Sequence, residues 1–224
     1  MSAGISCFDF NEVSFAWPGG KTILDRQSFS LAAGVLTLVR GPSGAGKSTL
    51  LRLMNRLEEA GSGTIRYRGK MISDWAPPAL RQQVAYLQQT PVIPDRSVRE
   101  ILLMPFDFDI NSEKTPPSKD ALHEMLAQVR MEDISLDDPA AALSGGQRQR
   151  LSLLRTLVTA PEVLLLDEPT ASLDSESKRC VEEVTEGACR QGTAVVMITH
   201  DGYTPENLPV AELTLAEGRV SICR

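Results

Sequence analysis

Gly41-Pro42-Ser43-Gly44-Ala45-Gly46-Lys47-Ser48 decides the fold, because it fills every position of the pattern G-x-x-x-x-G-K-[ST]. Its flanks are those the pattern's chemistry needs. Residues 35–39 form an apolar run that predicts a strand, and Leu50, Leu51, Met54 and Leu57 share one face of a helix predicted over 47–57. A strand–loop–helix unit lets backbone N–H groups curl around a phosphate at the positive end of the helix. There the Lys47 ammonium reaches the β- and γ-phosphates of a nucleotide, the Ser48 hydroxyl is placed to ligate Mg²⁺, and Thr49 belongs to the same cradle. The alternative, a glycine-rich turn that binds nothing, is disfavoured by the strand and helix around it.

Outward from the loop, strand-like runs at 13–15, 28–31 and 64–67 are separated by glycine turns. Two almost uninterrupted apolar runs, 163–166 and 194–198, suit strands buried on both faces of a parallel sheet. The segment 175–191 predicts the crossover helix between them, closed by Gly192. Residues 212–215 and 220–222 read as a hairpin. Between 91 and 159 the pattern turns helical, after a polar loop at 111–117 that is expected to be exposed. The whole is an α/β chain with a helical insertion.

Asp167 and Glu168 follow the first buried run, at the carboxyl edge where open α/β sheets bind ligands. Asp167 is suited to hold Mg²⁺ and Glu168 to polarise an attacking water; two solvated acids ending a strand are the alternative. His200 follows the second run and Thr199, so it reaches the same edge, whereas His123 is expected to be an exposed helix residue. A second glycine device, Leu143-Ser144-Gly145-Gly146-Gln147, stands before a helix starting near Arg148. It too presents donors to an anion. One triphosphate needs one cradle, so the second suggests a second chain.

The 224 residues are enough for one domain with a substantial core, and a net charge of −6 argues against nucleic acid as a partner. Cys7, Cys180, Cys189 and Cys223 lack metal-ligand spacing and read as free thiols. No secretory signal is expected, nor any run of the roughly 20 apolar residues that cross a membrane. A membrane partner would therefore be another chain.

These motifs, in this order, resemble the nucleotide-binding domains of ABC (ATP-binding cassette) transporters, and the resemblance covers nearly the whole chain. It implies an ATP-hydrolysing subunit with ATP and Mg²⁺ as cofactors. The implied fold is a RecA-like P-loop core with an antiparallel β subdomain (1–89 and 160–224) and an inserted helical subdomain (90–159) carrying the second glycine motif, in one domain over 1–224. It further implies a head-to-tail homodimer, with ATP between Gly41–Ser48 of one protomer and Ser144, Gly145, Gly146 and Gln147 of the other. Glu168 would be the catalytic carboxylate and His200 the switch histidine at the γ-phosphate. Ala171-Ser172-Leu173-Asp174 would pass between the two ATP sites, unless Asp174 or Ser175 is only a helix cap. Alignment of residues 84–89 with the family's V-G-Y-V-x-Q puts Gln89, rather than Gln88, at Mg²⁺. Where relatives carry a tyrosine against adenine, Trp17 precedes Pro18-Gly19, so an aromatic face is kept.

The resemblance places the chain in the cytoplasm, on the inner face of the membrane through a separate transmembrane permease. The permease would dock around residues 89–99, where Pro91 and Pro94 are expected to be exposed among Asp95, Arg96 and Arg99. Residues 81–91 also resemble stand-alone ATPases assigned to bacterial iron export. A soluble ATPase of iron–sulfur cluster assembly is the competing reading.

Overall fold

The computed structural model describes residues 6–199, 202–205 and 208–223. In chain order the elements are β1 (Ser6–Ala16), β2 (Thr22–Ala32), β3 (Leu36–Arg40), α1 (Lys47–Met54), β4 (Ser62–Tyr67) and β5 (Lys70–Met71). Next come α2 (Pro77–Gln83), β6 (Val84–Leu87), α3 (Val98–Leu103), α4 (Lys119–Gln128) and α5 (Gly145–Leu157). The last are β7 (Val163–Asp167), α6 (Ser175–Arg190), β8 (Ala194–Ile198), β9 (Val210–Ala216) and β10 (Arg219–Cys223).

Six strands form one sheet in the order β10-β9-β3-β8-β7-β6, and β2-β1-β4-β5 form a second, antiparallel one. In the large sheet β3 runs parallel to both β8 and β9, and β7 runs parallel to both β8 and β6. Only the β9–β10 hairpin is antiparallel. The unbroken apolar runs have a simple cause. Val163 and Leu165 of β7 pack toward α1 and the small sheet, while Leu164 and Leu166 pack toward α5 and α6. With both faces covered there is no solvent side to require a polar residue, and each fully buried side chain stabilises the fold by about 1.5–3 kcal/mol.

A third core joins Val98, Ile101 and Leu102 of α3 to Leu122 and Leu126 of α4, Leu151 and Leu154 of α5, and Cys180 of α6. Leu153 of α5 packs instead on the large sheet, so α5 bridges the two bodies. The architecture is the RecA-like core with an antiparallel β subdomain and an inserted helical subdomain.

Three expectations need correction. The helix after the loop stops at Met54, because Arg56 turns into left-handed backbone (φ 55°) and Leu57 is exposed. The strand read at 13–15 runs from Ser6, with a register shift between Phe10 and Val13 where Glu12 takes φ 52°. In the loop at 111–117, Asn111 is buried: its amide donates to the Pro105 carbonyl (2.8 Å) and its carbonyl accepts from Gln82 (2.9 Å). His123 is exposed, and all four cysteines are free thiols. Among the described residues no helix is long and apolar enough to cross a membrane.

Candidate functional site

The loop between β3 and α1 has no room for other residues at two glycines. A Cβ on Gly41 (φ 144°) would lie 2.1 Å from the Leu215 carbonyl oxygen of β9, and one on Gly46 (φ 100°) would lie 2.1 Å from Ile23. Gly46 caps α1 without any side-chain bond. The first N–H groups of α1 therefore face outward as donors for an anion. Lys47 is buried beside them, its ammonium donating to the Gly41 carbonyl (2.9 Å) and the Pro42 carbonyl (3.1 Å).

The sheet brings the acids to this loop. β8 separates β3 from β7, so the carboxyl end of β7 lies two strands from the glycine loop. Asp167, only 3% exposed, accepts a hydrogen bond from the Ser48 hydroxyl at 2.9 Å. Its other oxygen accepts from the Tyr86 hydroxyl at 2.7 Å, and the charge of Arg52 also acts on Tyr86. Burial and the bond to Asp167 push the Tyr86 hydroxyl up to about 12, so it stays a donor. Glu168 sits in left-handed backbone (φ 50°), and its carboxylate accepts from the Gln89 amide at 2.9 Å. Gln88 turns away, bonding the Thr90 carbonyl of its own loop.

A cleft of about 460 Å³ gathers Trp17, Lys21, Ile23, Ser43, Gly44, Gly46, Lys47, Ser48, Thr49, Gln89 and Glu168. Trp17 is 38% exposed at its rim, held edge-on against Phe15 at 5.1 Å. Sequence reasoning did not single out Lys21, whose ammonium reaches the Gly44 carbonyl (3.4 Å), nor Ile23, nor Tyr86. A basic residue a few positions past the rim tryptophan was the available signal for Lys21.

Ser144, Gly145, Gly146 and Gln147 do not line this cleft. They form the start of α5, where Ser144 and Gln147 make a reciprocal capping box. Asp174 lies with them. A Cβ on Gly146 would approach Ser177 at 2.9 Å and the Asp174 carboxylate at 3.8 Å, so the N-termini of α5 and α6 are side by side. Asp174, not Ser175, caps α6, accepting from the N–H groups of Glu176 and Ser177. Those bonds to Ser177 hold its carboxyl below the usual range. β8 delivers Thr199 beside β3; His200 lies outside the described residues.

The cleft thus gathers backbone N–H donors, an ammonium, a serine hydroxyl and a carboxylate, while the N-termini of α5 and α6 lie outside it. A family model described as ABC transporter matches residues 24–171. An Escherichia coli K12 protein named "Probable iron export ATP-binding protein FetA" is 40% identical over 184 residues, 82% of this chain and 80% of its own length. A Rhodopseudomonas palustris protein named "Hemin import ATP-binding protein HmuV" is 35% identical over 234 residues, covering 99% of this chain and 82% of its own. Among solved structures, a bacterial Atm1-family ABC exporter with ATP bound superposes with a TM-score of 0.83 at 25% identity, over 99% of this chain and 39% of that one.

Proposed function

The chain belongs to the ABC transporter family as an ATP-binding, ATP-hydrolysing subunit, and from that premise we propose that it works with Mg²⁺ as a head-to-tail homodimer driving a separate transmembrane permease. One observation carries the reading: Lys47, Ser48, Gln89 and Glu168 meet in a single cleft, with buried Asp167 behind Ser48. Ser48 and Asp167 suit Mg²⁺, because both are hard oxygen donors and the serine proton, directed at Asp167, leaves its lone pairs free for a cation. Gln89 is the third candidate ligand. When bound, the ion would neutralise charge developing on the phosphate oxygens.

In this mechanism the N–H groups of residues 44–49 and the Lys47 ammonium hold the triphosphate. Glu168 accepts the proton of the attacking water, and Gln89 keeps that carboxylate oriented. Phosphoryl transfer requires little covalent help, so positioning and charge do most of it. Ser144, Gly145, Gly146 and Gln147, with the adjacent Asp174, face the partner's ATP, and His200 completes the site. Residues 90–159 form the helical subdomain, within one domain over 1–224. The permease holds the dimer at the cytoplasmic face of the membrane and selects the cargo. The relative at 40% identity favours iron export.

Trp17 provides the nucleotide test. Adenine stacked on its exposed face exchanges water for a ring, so nucleotide changes its fluorescence. Trp75 is packed against Tyr67 and Lys70, away from the cleft, and so stays silent. The signal is expected to survive Trp75→Phe and vanish in Trp17→Phe. Trp17→Ala weakens ATP binding by about 1–3 kcal/mol, roughly 5–150-fold, while Trp17→Tyr binds nearly normally. Unchanged affinity in Trp17→Ala would make the tryptophan purely structural.

The permease test concerns residues 92–96. Pro91 and Pro94 are half-buried, contrary to the sequence expectation; the exposed apolar side chain there is Val92, at 67%. An Arg96–Asp107 ion pair at 3.6 Å holds this segment beside Phe108, itself 59% exposed. Two large apolar side chains within a charged rim fit a docking surface. In a Cys223→Ser background, which removes the one exposed thiol among the described residues, cysteines at 92–96 should crosslink to a cytoplasmic permease loop in a nucleotide-dependent way. Crosslinks confined to α6 would overturn this docking face.

A further inference from the structure

Both carboxylate oxygens of Asp167 are held by hydroxyls, Ser48 on one side and Tyr86 on the other. The direction of the second bond follows from valence. A carboxylate has no proton to give, so the single phenol proton is directed at Asp167. Arg52 lies on α1, one turn beyond Ser48, and Tyr86 lies on β6, paired with Leu165 of β7 two residues before Asp167. The phenol thus braces the acid from the strand that also carries Gln89 to Glu168. A buried carboxylate with one oxygen free could swing about its last torsion and lose its aim at Ser48.

We propose that Tyr86 is a positioning residue that fixes Asp167 so that the oxygen nearest Ser48 alone is presented to the metal. This rests on the reading of Ser48 and Asp167 as metal ligands. Its removal acts on metal affinity and spares the phosphate cradle, because Tyr86 is not among the residues lining the cleft.

The test uses the full chain with ADP and Mn²⁺, the ion followed by electron paramagnetic resonance. Tyr86→Phe should raise the Mn²⁺ dissociation constant of the ADP complex by about 10–100-fold, the usual effect of removing an outer-shell partner. ADP affinity in EDTA should stay near the wild-type value, while the melting temperature falls by a few degrees because a buried Asp167 oxygen loses its donor. Arg52→Gln, which keeps the phenol but removes the cation acting on it, should weaken Mn²⁺ in the same direction by less, and serves in place of Tyr86→Phe should that chain not fold. An unchanged Mn²⁺ constant in the folded variant, while Asp167→Asn loses the ion, overturns the role of Tyr86 alone. Unchanged Mn²⁺ binding in Asp167→Asn removes the metal-ligand reading, and the proposal with it.

Discussion

Glu168→Gln stops phosphate release while ATP remains bound. The substitution is clean, because glutamine keeps the size of the side chain and can still accept from the Gln89 amide now 2.9 Å away. What it loses is the carboxylate's ability to take a proton from water. A positioned general base contributes about 10²–10⁴-fold, so turnover should fall by that factor. The phosphate loop, with Lys47 bonded to the Gly41 and Pro42 carbonyls, is untouched, and ATP affinity should hold. Since ATP is then bound but not consumed, the chain should accumulate as an ATP-bound dimer on size-exclusion chromatography. Wild-type phosphate release from this variant would remove Glu168 from the chemistry.

The second large effect appears in a mixture. Ser144→Arg should abolish hydrolysis yet leave nucleotide binding by the single chain nearly intact, because Ser144 lies outside the cleft. It also removes the N-cap of α5, worth about 1 kcal/mol. Gly145→Arg is therefore the companion variant: beyond its chain neighbours and its own helix backbone, a Cβ there meets no atom within 4 Å. Mixed with Lys47→Ala, either variant should regain activity. A mixed dimer has one site with both defects and one with neither. Random pairing makes about half of the dimers mixed, so about a quarter of the wild-type rate should return. No recovery, with mixed dimers shown to form, would refute the head-to-tail arrangement.

Much of this was legible because it is local. The glycine loop announces itself through residue types at fixed spacing, and runs 163–166 and 194–198 through missing polar residues. β1 was cut short because Asn11-Glu12 interrupts its alternation, and only the structure shows the strand continuing through an irregularity there. The short helices α2 and α3 hold too few turns for periodicity to register. The capping box of Ser97 and Glu100 was the one local sign of α3. Asn111 looked like loop surface because its partners, Pro105 and Gln82, are fixed by tertiary structure. The Tyr86–Asp167 bond spans 81 residues, and no spacing rule reaches that far. Gln89 over Gln88 came from the resemblance; the residues alone permitted either.

The place of β3 in its sheet bears on how the molecule is born. Its two neighbours, β8 and β9, are made more than 150 residues after it. During synthesis the complete phosphate-loop sequence therefore leaves the ribosome long before the strands that hold it in shape, and β3 must wait for them as an unpaired apolar segment. Closing so long a loop slows folding and leaves the nascent chain open to misassociation. The nucleotide cradle then forms only after β8 and β9 have been made, and a chain interrupted before β8 would carry the whole motif without a site.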